Sequence, residues 1–187
     1  SRGGLKLAGA LAQTGIAVAG KTCLDVGQST GGFTDCLLQA GAAHVVGIDV
    51  GHGQLHPRLL HDPRVTASEG INARALTATD LGDALPAGGF GLIVADLSFI
   101  SLTLVLPQLP PLLATGGHLL LLVKPQFEVG AGKLGKRGIV SDPALFRTVE
   151  ARLRDCAGQL GLTVRAWLES PLAGGDGNRE FFIWLNK

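Results

Sequence analysis

Four short runs constrain this chain more than anything else in it: TCLDV (Thr22 to Val26), HVVGIDV (His44 to Val50), GLIVADL (Gly91 to Leu97) and HLLLLVK (His118 to Lys124). A strand with one wet face alternates apolar and polar residues; these runs are nearly continuous in apolar residues, so both of their faces are expected to be covered. Between them the pattern changes. Phe33 to Gln39 reads as a helix ended by Gly41, and Arg64 to Ala67 as a further short strand. Buried strands alternating with helices predict an α/β fold, a mostly parallel sheet with helices on both faces. A longer helix is predicted after Asp142, a good cap followed by Pro143 at the first helical position. Its apolar face is Leu145, Val149, Leu153 and Leu160, and Gly161 supplies a left-handed end. LTVRAWLES (Leu162 to Ser170) and REFFIWLN (Arg179 to Asn186) close the chain, separated by the turn PLAGGDGN. Such a pair is expected to run antiparallel, reversing one strand near the C-terminus.

Composition limits what this sheet can be used for. At 187 residues the chain is predicted to form one domain. Lys and Arg number 16 against 15 Asp and Glu, a net charge of +1, so the chain as a whole lacks the footprint of a nucleic-acid binder. An RNA role requires a local basic patch or a further domain. The longest apolar region, LVLPQLPPLLATGGHLLLLVK, is broken by Pro107, Pro110, Pro111, Gly116 and Gly117, short of the roughly 18 residues of a membrane span. No signal peptide stands at the amino end. A soluble, cytoplasmic protein without a membrane partner is expected. Met is absent, so Ser1 is read as the start of a trimmed or processed chain. Cys23, Cys36 and Cys156 share no CxxC spacing and are read as reduced thiols. His52 and His56 stand four apart with His61 beyond, a spacing that on a helix presents two imidazoles; without a third ligand no metal site is assigned.

Chemistry concentrates in LDVGQSTGGFTD, Leu24 to Asp35, the loop after the first strand. In open α/β sheets ligands bind beyond the carboxyl ends of the strands. Gly27, Gly31 and Gly32 let backbone approach a ligand, and Ser29 and Thr30 add hydroxyls. A phosphate loop of the GxxxxGK[ST] type needs a lysine that this stretch lacks. GAGKLGKR (Gly130 to Arg137) nearly matches that pattern, but Arg137 stands in the Ser/Thr position and no helix is predicted there. A dinucleotide site needs GxGxxG, against GxxxGG here. A nucleoside without a pyrophosphate fits better, because Asp49 ends the second strand about twenty residues on, placed to accept ribose hydroxyls.

DVGQSTGGFTD, GIDVGHGQL, VADLSFISL, LLVKPQFE and GNREFFIWL together resemble the TlyA (hemolysin A) family, from SRGGLKL at Ser1 to the last strand. The resemblance implies an S-adenosylmethionine-dependent ribosomal RNA 2'-O-methyltransferase with a Rossmann-like, FtsJ-like fold of seven strands. It implies a single methyltransferase domain over 1–187, with the family's small N-terminal RNA-binding domain lying outside it, and ribosomal RNA or a ribosomal subunit as partner. It carries a catalytic set onto Lys6, Asp96, Lys124 and Glu180. The cofactor would meet Gly27, Ser29, Gly32 and Phe33 at its methionine part, Asp49 at its ribose and Asn72 at its adenine edge. Gln28 departs from the small residue of many relatives, and is expected to narrow the pocket or point to solvent.

The residue types suit a hydroxyl acceptor. Asp96 and Lys124 end strands at the ligand edge, and Glu180 opens an otherwise apolar strand; Lys6 rests on the motif alone. Lys124 as base requires a neutral amine, favoured by burial and by a second cation such as Lys6, while Asp96 and Glu180 orient the lysines. Lys133, Lys136 and Arg137 in the loop Glu128 to Ser141 are candidates for RNA phosphates, in a mobile segment. Three rival readings fit less well. An amino-methyltransferase places [DNS]PP[FYW] at the fourth strand end, where this chain has Asp96, Leu97, Ser98 and Phe99. A membrane-active hemolysin needs a span that the sequence does not offer. A module that binds S-adenosylmethionine without chemistry would not need all four polar positions.

Overall fold

The computed structural model describes residues 1–187. Five parallel strands come first: β1 (Thr22–Val26), β2 (His44–Asp49), β3 (Val65–Glu69), β4 (Phe90–Ala95) and β5 (Leu113–Val123). β6 (Thr163–Glu169) and β7 (Phe181–Asn186) follow, β7 antiparallel to both β5 and β6. They form one seven-stranded sheet in the order β3-β2-β1-β4-β5-β7-β6. The mostly parallel sheet and its single reversed strand are as the sequence implied. The last strand in the chain is nevertheless not the last in the sheet. β7 is buried on both faces, whereas no residue of β6 is fully buried. The wholly apolar FFIWL therefore takes the interior, and the amphipathic strand takes the edge, where one side meets water.

Each face of the sheet carries its own core. Cys23, Val45, Leu92, Val94, Leu120, Leu122 and Phe182 pack under α1 (Arg2–Thr14), α2 (Gly32–Gln39) and α3 (Pro57–Leu60). Leu24, Val26, Val46, Ile93, Leu119 and Leu121, alternate positions of the same strands, pack under α4 (Ala78–Leu81), α5 (Leu102–Val105) and α6 (Pro143–Gln159). α6 starts as expected, Asp142 accepting from the Ala144 N–H at 2.9 Å, with Pro143 at its first position. α1 was not anticipated. Ser1 caps it by accepting from the Gly4 N–H at 3.0 Å, and its buried stripe is Lys6, Leu7 and Ala10. That stripe has helical spacing, so a lysine sits in the apolar face of an amphipathic helix. No helix is long and apolar enough to cross a membrane.

Candidate functional site

Parallel strands deliver their carboxyl ends to one edge. There the residues following β1, β2, β4 and β5 line a cleft of about 770 Å³, a size suited to a nucleoside-sized ligand. The glycine loop forms one wall. The N–H groups of Gly27 and Gln28 both donate to the Ile48 carbonyl, at 2.9 and 3.0 Å, folding the loop over the end of β2. Gly27 has φ of 82°, and a Cβ there would run into the Asp96 carbonyl. Only glycine lets the ends of β1 and β4 approach so closely. Asp49 holds the loop from the other side, its two oxygens accepting from Ser29 N–H at 2.7 Å and Gly51 N–H at 2.8 Å. Each carboxylate oxygen retains a lone pair for a ligand hydroxyl. Asn72 lines the same end, its carbonyl accepting from the Arg74 N–H at 3.0 Å. Gly32 and Phe33 open α2 at the cleft, but the Phe33 ring is buried and stacks on Phe182 at 6.3 Å.

The polar residues expected to act together form two separate pairs. Lys124 Nζ lies 2.6 Å from Asp96 Oδ1 and donates to Ser98 Oγ at 3.1 Å, and all three residues line the cleft. Lys6 Nζ lies 2.7 Å from Glu180 Oε1, with side-chain exposures of 8% and 3%, and neither lines the cleft. The turn between β6 and β7 covers this second pair. Arg2 donates to the Ala173 carbonyl at 2.5 Å, and Gly174 packs against the Glu180 carboxylate. The group facing Lys124 is thus a carboxylate, not the Lys6 ammonium that was expected to act on it.

Several residues emerge that sequence reasoning passed over. Gln28 lines the cleft and is buried rather than pointing to solvent. It turns inward, donating to Thr34 Oγ1 at 2.9 Å, and Thr34 donates on to Asp25 Oδ2 at 2.7 Å. Gly47 on β2 makes this possible, since any Cβ there would occupy the Gln28 amide. Asp25 is fully buried with Oδ1 unpaired. Burial pushes its pKa up to about 7, against the lowering hydrogen bond of Thr34 and with Asp96 and Asp49 adding to the rise. A charged residue inside the apolar run TCLDV was the available signal. Phe99, on the cleft rim, is 88% exposed, adopts φ of 63° and meets Phe127 at 4.9 Å. A bulky residue in that conformation is an outlier of the kind found at ligand sites.

The loop expected to be mobile is anchored at its end. Asn178 accepts from the Val140 N–H at 2.9 Å and donates to the Gly138 carbonyl at 3.1 Å. At its start, Glu128 accepts from Ser101 Oγ at 2.6 Å and Leu102 N–H at 2.8 Å, tying the segment after β5 to α5. Burial raises the pKa of Glu128 against those two hydrogen bonds. Lys133, Lys136 and Arg137 stay exposed on two short turns, with no helix behind GAGKLGKR. His56 caps α3, accepting from the Arg58 N–H at 3.1 Å, and no group of three His, Cys, Asp or Glu side chains gathers. The three cysteines are free thiols.

This sheet order, with a glycine loop and an acid at the ends of β1 and β2, defines the class of Rossmann-like methyltransferases. The S-adenosylmethionine-dependent methyltransferase from Mesorhizobium loti shares the fold, with a TM-score of 0.68 at 14% identity over 96% of both chains. The chain matches the FtsJ-like methyltransferases over residues 1–187 and belongs to that family, whose cofactor is S-adenosylmethionine. It is 52% identical over 186 residues, 99% of this chain and 67% of that protein, to the 16S/23S rRNA (cytidine-2'-O)-methyltransferase TlyA of Mycobacterium tuberculosis. A solved structure from Streptococcus thermophilus that carries a hemolysin name superposes with a TM-score of 0.93 at 42% identity, covering 100% of this chain and 66% of that one. The chain therefore spans about two thirds of the length of these relatives.

Proposed function

We propose that this chain transfers the methyl group of S-adenosylmethionine to a ribose 2'-hydroxyl of ribosomal RNA, in the cytoplasm. The observation that carries the reading is the Lys124–Asp96 pair standing with Ser98 in the same cleft as the glycine loop and Asp49. The residues fit the cofactor. Backbone around Gly27, Ser29 and Gly32 suits its amino-acid part, Asp49 its ribose, and Ile71 and Asn72 flank the place for its base. When bound, S-adenosylmethionine supplies a methyl group already activated on a sulfonium.

What remains for the protein is to hold a weakly acidic hydroxyl in line and remove its proton. Lys124 is placed to take that proton, and Asp96, 2.6 Å away, orients its amine and offsets the charge that results. Positioning of this kind is worth roughly 7–11 kcal/mol of barrier in well-oriented systems. Lys6 and Glu180 act one step removed, fixing the start of α1 and of β7 beside the cleft. Phe99 offers an exposed aromatic face for a base drawn out of the RNA stack. Lys133, Lys136 and Arg137 contact phosphates, and an RNA-binding segment outside 1–187 supplies most of the affinity.

The relative from Mycobacterium tuberculosis is named for cytidine 2'-O-methylation, which favours a ribose over a base amine. Incubating the full-length protein with ribosomal RNA and labelled S-adenosylmethionine, then sequencing the modified nucleoside by mass spectrometry, tests the proposal. A label on ribose is the expected result; a label on a base nitrogen refutes it.

A further inference from the structure

Asp25 is the ionisable group that neither ion pair accounts for. It lies within β1, level with Gly47 of β2 and Val94 of β4, wholly buried, with one oxygen held by Thr34 and the other unpaired. Most buried carboxylates have a cation or several donors; this one has Thr34 alone, through its hydroxyl and, more weakly, its backbone N–H. The hydroxyl is committed to it because Gln28 donates to the same Thr34 oxygen. Gln28 is also a lining residue of the cleft, so two hydrogen bonds connect a residue of the cleft wall to the buried acid through Thr34.

The charges acting on Asp25 come from the ends of the neighbouring strands. β2 contributes Asp49, β4 contributes Asp96 with its partner Lys124 from β5, and β1 itself contributes the Cys23 thiol. The two cleft carboxylates already act on Asp25 to favour its protonated form. A cation lodged between them acts through the same low-dielectric path with the opposite sign.

We propose that Asp25, Thr34 and Gln28 form a positioning relay under the glycine loop, which couples a cationic ligand in the cleft to loss of a proton from Asp25. The inference rests on the cofactor reading above and deepens it. S-adenosylmethionine carries a sulfonium charge that the product, S-adenosylhomocysteine, lacks. The relay therefore favours donor over product, and the proton passes to solvent as the donor binds. Asp25 is partly protonated near neutral pH in the free protein. Donor affinity thus rises with pH until Asp25 is ionised without help, and levels off above that point.

Calorimetric titration of both ligands, in buffers of different ionisation enthalpy, tests the relay. Comparing wild type with Asp25→Asn for the same ligand cancels the ligand's own titration. The wild type is expected to release up to about half a proton more than Asp25→Asn on binding the donor near neutral pH, and less on binding the product. Its preference for donor over product should grow roughly three- to tenfold between about pH 6 and 8, and stay flat in Asp25→Asn. Thr34→Val keeps the acid but removes the hydrogen bond that lowers its pKa, so the rise should move to higher pH. A merely structural role for Thr34 would instead weaken binding equally at every pH, which overturns the relay, and this variant carries the test if Asp25→Asn does not fold. Equal proton release by wild type and Asp25→Asn also overturns it. No binding of either ligand at millimolar concentration overturns the cofactor reading itself, and the relay with it.

Discussion

Lys6–Glu180 and Lys124–Asp96 are the same chemical pair at nearly the same length, 2.7 and 2.6 Å, in opposite surroundings. The first is sealed beneath the turn between β6 and β7 and joins the chain's beginning to its end. The second keeps a side to the cleft. Buried charges cannot be rehydrated when a partner is lost, so the first pair acts as a clamp that resists change. A pair within reach of solvent can part, lose a proton and re-form, which a base must do in every turnover. The difference teaches that matching residue types in a motif do not share a role; burial divides them.

The largest expected effect breaks the open pair. Lys124→Ala should lower methyl transfer to ribosomal RNA about 10²- to 10⁴-fold while calorimetry still detects S-adenosylmethionine binding. Full activity in this variant would remove Lys124 from the mechanism.

Breaking the sealed pair should register in stability. Lys6→Met or Glu180→Leu alone is expected to cost about 3–5 kcal/mol in urea unfolding, and the double variant to recover most of it. If each single variant unfolds like wild type, the pair is no clamp.

Asp25 extends the comparison to a buried acid with no cation. Its folded pKa of about 7 lies above the ordinary 3.8, so the folded state binds the extra proton and stability falls as pH rises between those values. Asn at this position does not titrate. Asp25→Asn should therefore gain stability over wild type as pH rises from about 4 to 7, by an amount on the order of 4 kcal/mol at most. Melting temperatures across that range read the effect; an advantage that shrinks with pH would contradict it.

Asp49→Ala touches the cleft without either pair, and should weaken cofactor binding roughly tenfold through two lost loop contacts and a lost ribose acceptor. The smallest effect sharpens the contrast directly. Lys124→Met should change unfolding free energy by less than about 1 kcal/mol, against the several expected at Lys6.

How much of this was legible in the chain differs by element. The central strands announced themselves, because burial on both faces leaves a nearly continuous apolar run. The Asp142–Pro143 start of α6 was equally plain, since capping is local chemistry. α1 went unread although Lys6, Leu7 and Ala10 have helical spacing, because a lysine in the apolar stripe hides the pattern until its partner is known. That partner, Glu180, lies 174 residues away. The inward turn of Gln28 was hidden for the same reason. Its side chain turns inward only because Gly47 on the neighbouring strand leaves room and Thr34 offers an acceptor.

The sequence by itself determined the alternation of strands and helices, the loop that must stay free of side chains, and the motifs that place the chain among the FtsJ-like methyltransferases. These are properties of neighbouring residues, and local chemistry suffices for them. Tertiary structure alone decided that β7 enters the sheet beside β5, that four polar residues separate into a sealed pair and an open one, and that Asp25 stays buried without a countercharge. Those outcomes depend on which distant surfaces exclude water, and the dielectric around a charge is set by packing rather than by the residues beside it in the chain.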